Sequence, residues 1–250
     1  MPDLNGTTIT VGSVIQYLNL LNFNNYSDTQ LFRGQANSKW CLSTSIERIS
    51  KAADYIEYES RSWKELESLL LDSFKNESAP YMNFSPEGRI EWLVHAQHHG
   101  LPTALLDWTT NPLKALFFAT EGPEYESEDG AVFFGNGCFY STEEVEDNNY
   151  KFITCFYSKH INERIIAQEG CFTLHPLPDN FEPFMKLSET DNSLESDMWL
   201  SCKVIIPSEK KVTIRRELAK LGITKKSIFP GLDSIAKSIK QKLVDGREWY

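Results

Sequence analysis

Two stretches decide how this sequence is read: Leu31-Phe32-Arg33-Gly34-Gln35, and further along Gln97-His98-His99-Gly100-Leu101-Pro102-Thr103-Ala104-Leu105-Leu106-Asp107-Trp108-Thr109-Thr110-Asn111-Pro112. In the second, a helix opened by Pro86 carries Ile90, Leu93, Val94 and Gln97 and stops at Gly100, with Pro102 just beyond. Asn111-Pro112 then forms the N-cap and first-turn pair of another helix, Leu113 to Thr120, whose Leu113, Leu116, Phe117 and Phe118 face a core. In the first stretch, the strand-like Gln30-Leu31-Phe32 ends at Arg33-Gly34.

Working outward, Ser13 caps a short helix bearing Val14, Ile15, Leu18 and Leu20 or Leu21. A long helix over Ala52 to Lys75 shows Ile56, Trp63, Leu66, Leu69, Leu70 and Phe74 at helical spacing. Ala131 to Phe134, broken by Gly135-Asn136-Gly137 and resumed at Cys138 to Tyr140, reads as a hairpin. Arg164 to Leu174 alternates around Gly170, and Lys203 to Ile206 makes a strand ended by Pro207. Helices over Lys210 to Leu221, stopped by Gly222, and over Leu232 to Val244 close the chain. Short strands mixed with helices, without regular β-α-β alternation, predict an α+β fold: a single domain over 1–250, core about 24–245, with a short-stranded mixed or antiparallel sheet flanked by helices.

The 250 residues are enough for a full core, and no apolar run approaches the about 20 residues that cross a bilayer. Nothing basic precedes Arg33, so no leader is expected and the expected location is cytoplasmic, with no membrane partner. Cys41, Cys138, Cys155, Cys171 and Cys202 are scattered without a C-x-x-C pair and read as buried reduced thiols. A net charge of −10 argues against indiscriminate binding to nucleic acid. From Lys203 to Tyr250, however, 12 basic residues stand against 5 acidic ones, which suits a protein or nucleic-acid partner at 203–250. Nine acidic residues and no basic one lie between Glu121 and Asp147. They form either a solvated loop or an acidic flap facing the basic carboxyl-terminal part or a partner.

Three constellations carry chemistry. Arg33 before Gly34 either presents its planar fork to a diphosphate, with the glycine admitting the ligand to the backbone, or pairs a buried carboxylate such as Asp107. Gln35, Ser43-Thr44-Ser45 and Arg48 follow it. His95, His98 and His99 share a helical face and suit either hydrogen bonding at a helix end or metal binding with Asp107; without an H-E-x-x-H arrangement, no metal is expected. Asp107, followed by Trp108-Thr109, either sits at a site edge or serves as a cap or ion-pair partner. Arg164, Gln168 and Glu169 before Gly170 offer an amide and a carboxylate to a ribose, or form an ordinary turn.

These residues, with Trp40, Leu42, Ala115-Leu116-Phe117-Phe118-Ala119, Phe172-Thr173, Leu221-Gly222-Ile223 and Phe229-Pro230-Gly231-Leu232, resemble the FRG domain family of bacterial and phage proteins over most of the chain. That family usually has an arginine where this sequence has Ala104. Leu31-Phe32-Arg33-Gly34 is also similar to the opening motif of arginine-type ADP-ribosyltransferases, and Ser43-Thr44-Ser45 to their serine-threonine-serine motif. Together the resemblances imply an ADP-ribosyltransferase-like fold with NAD as substrate, consumed by a transferase or glycohydrolase in bacterial conflict or phage defence. Arg33, Gly34, Gln35, Ser43, Thr109, Arg164 and Gln168 would then bind the nucleotide. Arg33, His98, His99, Asp107 and Glu169 would serve catalysis. A non-catalytic nucleotide- or protein-binding module and a metal-dependent hydrolase are the alternatives.

Overall fold

The computed structural model describes residues 7–21, 30–49, 62–147, 151–159, 163–178, 180–187, 197–232, 234–236 and 239. Among them eight strands hydrogen-bond into one mixed sheet: β1 (Thr7–Thr10), β2 (Gln30–Gln35), β3 (Leu105–Thr109), β4 (Gly130–Gly137), β5 (Phe139–Tyr140), β6 (Thr154–Phe156), β7 (Gly170–Leu174) and β8 (Met198–Ile206). Their spatial order is β1-β8-β4-β2-β3-β7-β6-β5. β1 with β8 and β5 with β6 run parallel, and the other neighbours antiparallel. The helices are α1 (Val14–Leu21), α2 (Ser45–Arg48), α3 (Trp63–Ser78), α4 (Gly88–His98), α5 (Pro112–Thr120), α6 (Thr142–Asp147), α7 (Glu163–Gln168), α8 (Ser208–Lys220) and α9 (Lys225–Ile228). The expected α+β class is the one observed.

The sheet has a seam. β2 pairs with β4 along all of Gln30 to Gln35, and β3 with β7 along all of Leu105 to Thr109, but β2 meets β3 at the single pair Phe32 and Thr109. One core cluster joins α1, α5, α8 and α9 to Phe32, Val132, Phe134 and Val204. Another packs Ile90, Leu93 and Val94 of α4 on Leu105, Phe156 and Phe172. At Gly34 a β-carbon would lie 1.9 Å from the Ala115 carbonyl oxygen and at Gly130 2.0 Å from that of Ala119, so both glycines let α5 rest directly on the sheet. The glycine after Arg33 therefore admits a helix, where the sequence reading has it admit a ligand.

Several expected elements are redrawn. The hairpin across Gly135-Asn136-Gly137 is one continuous strand, β4, with a register shift between Phe134 and Gly135. Its glycines leave room for Met198 and Cys155 instead of making a turn. Phe139–Tyr140 pairs with β6, not back onto β4. Arg164 to Gln168 is helical, and Glu169, at φ 47°, makes the left-handed turn into β7. α4 begins at Gly88, two residues after Pro86. α3 begins at Trp63, where the Ser62 side chain accepts from the Glu65 amide; the portion expected over 52–61 lies outside the described residues, as does most of the helix expected over Leu232 to Val244. Among the described residues no helix is long and apolar enough to cross a membrane.

Candidate functional site

A cleft of about 340 Å³ opens where β2 and β3 part. Phe32, Arg33 and Gly34 line it from β2, and Asp107, Trp108 and Thr109 from β3. The last turns of α4 add Val94, Gln97 and His98, and α7 adds Arg164, Ile165 and Gln168. Phe118 of α5 and Phe172 of β7 extend its apolar surface. Trp108 is fixed from beneath, its indole N–H donating to the Thr173 hydroxyl at 3.1 Å.

Arg33 lies at the floor with its side chain only 19% exposed. Its Nη1 donates to the backbone carbonyl of Asp107 and stands 3.9 Å from the Asp107 carboxylate, while its buried Nε has no hydrogen-bond partner among the described residues. Burial lowers the guanidinium pKa from its ordinary range, opposed by Asp107 and reinforced by Arg48. This is a buried cation incompletely neutralised by its own protein. Arg33 thus stands beside Asp107 only loosely, and Asp107, expected as a buried partner for it, is exposed instead.

The Asp107 side chain is 62% exposed to the cleft, and its Oδ1 accepts from Gln97 Nε2 at 2.7 Å. Gln97 Oε1 in turn accepts from the Thr103 hydroxyl. Partial burial lowers the His98 pKa, with Arg164, His99 and His95 acting in the same direction against Asp107, so its ring is neutral at pH 7. Thr109 is buried, its hydroxyl donating to the Gln168 carbonyl at 2.7 Å, which ties β3 to α7. The Arg164 guanidinium lies 4.8 Å over the Phe229 ring, and Gln168 Nε2 donates to the Ile228 carbonyl at 3.4 Å. The carboxyl-terminal turn thereby supports this wall.

The cleft therefore assembles Arg33, Gly34, His98, Asp107, Thr109, Arg164 and Gln168, and leaves four expected residues outside its lining. Gln35 is buried and donates to the Cys41 carbonyl at 3.4 Å. Ser43 gives its backbone carbonyl to Arg48 at 2.6 Å, while Thr44 caps α2 and Ser45 Oγ accepts from the Thr103 amide at 2.9 Å, and the serine-threonine-serine run lies outside the cleft lining. His99 caps α4 and stacks on Phe74, and His95 faces Phe74, Phe84 and Trp92. The three imidazoles pack on one another, His99 at 4.9 Å from His95 and 5.2 Å from His98, but only His98 lines the cleft. Among the described residues no group of three or more His, Cys, Asp or Glu side chains is placed to hold a metal ion. Glu169 turns to Lys114 at 2.7 Å and Asn111 at 3.1 Å. Burial would raise its carboxyl, but these hydrogen bonds prevail and hold it below the ordinary range.

Cys171 lines the cleft, but burial, then Cys155 and Asp107, push its thiol well up, so it is protonated at pH 7. Ala104 is buried beside Ile46, Trp63 and Leu66, outside the cleft lining, and its amide donates to Glu67 Oε1 at 2.6 Å. Gln97 was legible as part of its motif, but nothing in the sequence marks its bond to Asp107. The acidic segment does face the basic carboxyl-terminal part: Arg215 Nη2 donates to both carboxylate oxygens of Glu126 at 2.7 and 2.9 Å, and Lys225 pairs with Glu121. Lys211, fully buried, donates to the carbonyls of Ala36 and Tyr125 at 2.7 and 2.8 Å.

Among known proteins, the family model of the FRG domain matches residues 28–128, a span holding Arg33, Gln97, His98, Asp107 and Thr109. No curated protein and no solved structure matches the chain.

Proposed function

For a chain that carries an FRG domain across residues 28–128, we propose that the cleft binds NAD and breaks its nicotinamide–ribose bond, as an ADP-ribosyltransferase or an NAD glycohydrolase. The observation that carries this is Arg33, a cation buried at the floor of an open cleft with one loosely placed carboxylate beside it. A diphosphate supplies the anionic oxygens that such a guanidinium lacks. Arg164 adds positive potential at the wall, and the aromatic lining offers stacking surface.

When the C1′–N bond breaks, its electron pair leaves with nicotinamide and positive charge develops on the ribose. The Asp107 carboxylate faces that charge across the cleft, and neutral His98 is available to accept the proton of the incoming nucleophile, either water or a macromolecular hydroxyl, carboxyl or amine. Gly34 lines the cleft beside Arg33 while seating α5, Thr109 ties β3 to α7, and Gln168 orients the ligand. Consumption of NAD suits a role in bacterial conflict or phage defence.

A second reading, a nucleotide-binding module without turnover, is favoured by one observation. Glu169 faces Lys114, so among the described residues Asp107 is the only carboxylate lining the cleft, and Gln97 already holds one of its oxygens. Incubating the purified chain with NAD, with and without candidate acceptors, and measuring released nicotinamide by chromatography separates the two. Release that Arg33→Ala abolishes supports the enzyme. Calorimetric binding of ADP-ribose without release supports the module.

A further inference from the structure

We infer that Gln97 is a positioning residue for Asp107, locked by Thr103 in the one amide orientation that binds Oδ1 of Asp107 and leaves Oδ2 free as the acceptor facing the ligand. The inference rests on the NAD reading only for the reaction it serves; the lock itself is a property of the hydrogen bonds.

The polarity of the chain of contacts is forced. The Leu105 amide, which can only donate, gives its hydrogen to Thr103 Oγ1 at 3.3 Å. Thr103 is fully buried, so the single proton of its hydroxyl goes to the neighbour in reach, Gln97 Oε1. That fixes the carbonyl end of the amide toward Thr103 and its NH₂ toward Asp107 Oδ1, 2.7 Å away. Oδ2 is then the oxygen at 3.9 Å from Arg33, too far for a hydrogen bond, in a side chain 62% exposed to the cleft. A carboxylate held at one oxygen and open at the other is preorganised to face a cation without first shedding a partner. The other charged or ionisable groups lining the cleft are Arg33 from β2, His98 from α4, Cys171 from β7 and Arg164 from α7; the first three interact with Asp107, and Arg164 with His98.

Gln97→Glu keeps the size of the side chain and the acceptor toward Thr103, but turns an oxygen toward Asp107 in place of the N–H. Thermal melting of the full chain is compared for wild type, Gln97→Glu, Asp107→Asn and the double variant. Gln97→Glu is expected to melt below wild type near pH 8, with the gap narrowing near about pH 5, where the two carboxyls share a proton. The double variant, in which the amide at 107 donates to the carboxylate at 97, is expected to recover most of the loss. Losses that simply add would overturn the lock.

The positioning role is read by kinetics. In Gln97→Glu, kcat for nicotinamide release is expected to fall about tenfold or more with KM within about threefold, and the double variant to stay inactive despite its recovered melting. An unchanged kcat in folded Gln97→Glu would overturn that role. If wild type releases no nicotinamide, the NAD reading fails by itself, and the melting cycle alone decides for or against the lock.

Discussion

The Arg33 guanidinium stands 3.9 Å from the Asp107 carboxylate, yet gives its hydrogen bond to the backbone carbonyl of the same residue. A structural ion pair buried at this depth would close to bonding distance and satisfy both partners. This one leaves the carboxylate open to the cleft and the Nε without an acceptor among the described residues, the state of two groups arranged for a third.

Arg33→Ala is therefore expected to lower nicotinamide release by about 10²- to 10³-fold, the usual cost of one preorganised donor to a developing or bound charge. Its melting temperature should stay close to that of wild type, because the lost charge was poorly compensated. Arg33→Lys should fare nearly as badly in turnover, since an ammonium cannot reproduce the fork. Activity assays paired with thermal melts check both statements; a collapse of the fold in Arg33→Ala would make the arginine structural.

Gly34 and Gly100 separate two reasons for a glycine. A methyl group at Gly34 meets backbone atoms of α5, whereas one at Gly100 meets open space but sits at φ 93°. Gly34→Ala is expected to cost about 3 kcal/mol or more, as backbone against backbone cannot yield cheaply. Gly100→Ala should cost roughly 1–2 kcal/mol, from the left-handed conformation alone. Urea denaturation of the two variants measures the difference.

The same glycines show what the sequence could tell. Caps and stops were readable because each is a local event: Asn111 accepts from the amides of Leu113 and Lys114, and Gly222 takes φ 82° after α8. Strand β3 was not, since four of its five residues are buried and only Asp107 is exposed, which erases the alternation that marks a strand. Gly135-Asn136-Gly137 looked like a turn because glycine serves close packing as readily as reversal, and sequence alone does not say which. Helix α7 was hidden for a related reason: its six residues end at Gln168, and the left-handed residue that follows is Glu169 and not Gly170. That Arg33, His98 and Asp107 are candidates was legible from residue type and from the resemblance, but their meeting in one cleft and the departure of Glu169 and His99 depend on contacts distant in sequence.

His175 sets an acid limit on stability. It is 2% exposed, and burial, with Arg33 nearby, lowers its pKa to about 3. Below an unfolded value near about 6.5, the unfolded chain takes up a proton that the folded chain refuses. Its contribution is thus fully present above about pH 6.5 and lost as pH falls toward the folded value, by up to ~1.4 kcal/mol per pH unit. Urea midpoints at about pH 7 and pH 4.5 should diverge more for wild type than for His175→Gln, which does not titrate; equal divergence would remove His175 from the acid response.

The basic carboxyl-terminal part is engaged within the chain at its most buried cation. Lys211→Met removes the donor shared by the Ala36 and Tyr125 carbonyls and leaves both without it, an expected loss of about 2–4 kcal/mol. Arg216 is exposed on the same helix, and Arg216→Ala should stay within about 0.5 kcal/mol of wild type. Chemical denaturation distinguishes a lysine that holds the acidic segment in place from a surface charge available to a partner.

Two carboxylates compete for the role beside the ribose, and geometry chooses between them. Asp107 lines the cleft with one oxygen open, while Glu169 faces Lys114 and Asn111 at the start of α5. Asp107→Asn keeps the shape and removes the charge that would meet an oxocarbenium-like centre, so nicotinamide release should fall by about 10²-fold or more with NAD binding little changed. Glu169→Gln keeps a partner for Lys114, and its turnover should stay within about twofold of wild type. The discriminating result is a reversal, in which Glu169→Gln is dead and Asp107→Asn active: the charge would then develop outside this cleft, on the Lys114 side of β3, and the ligand would have to be sought there.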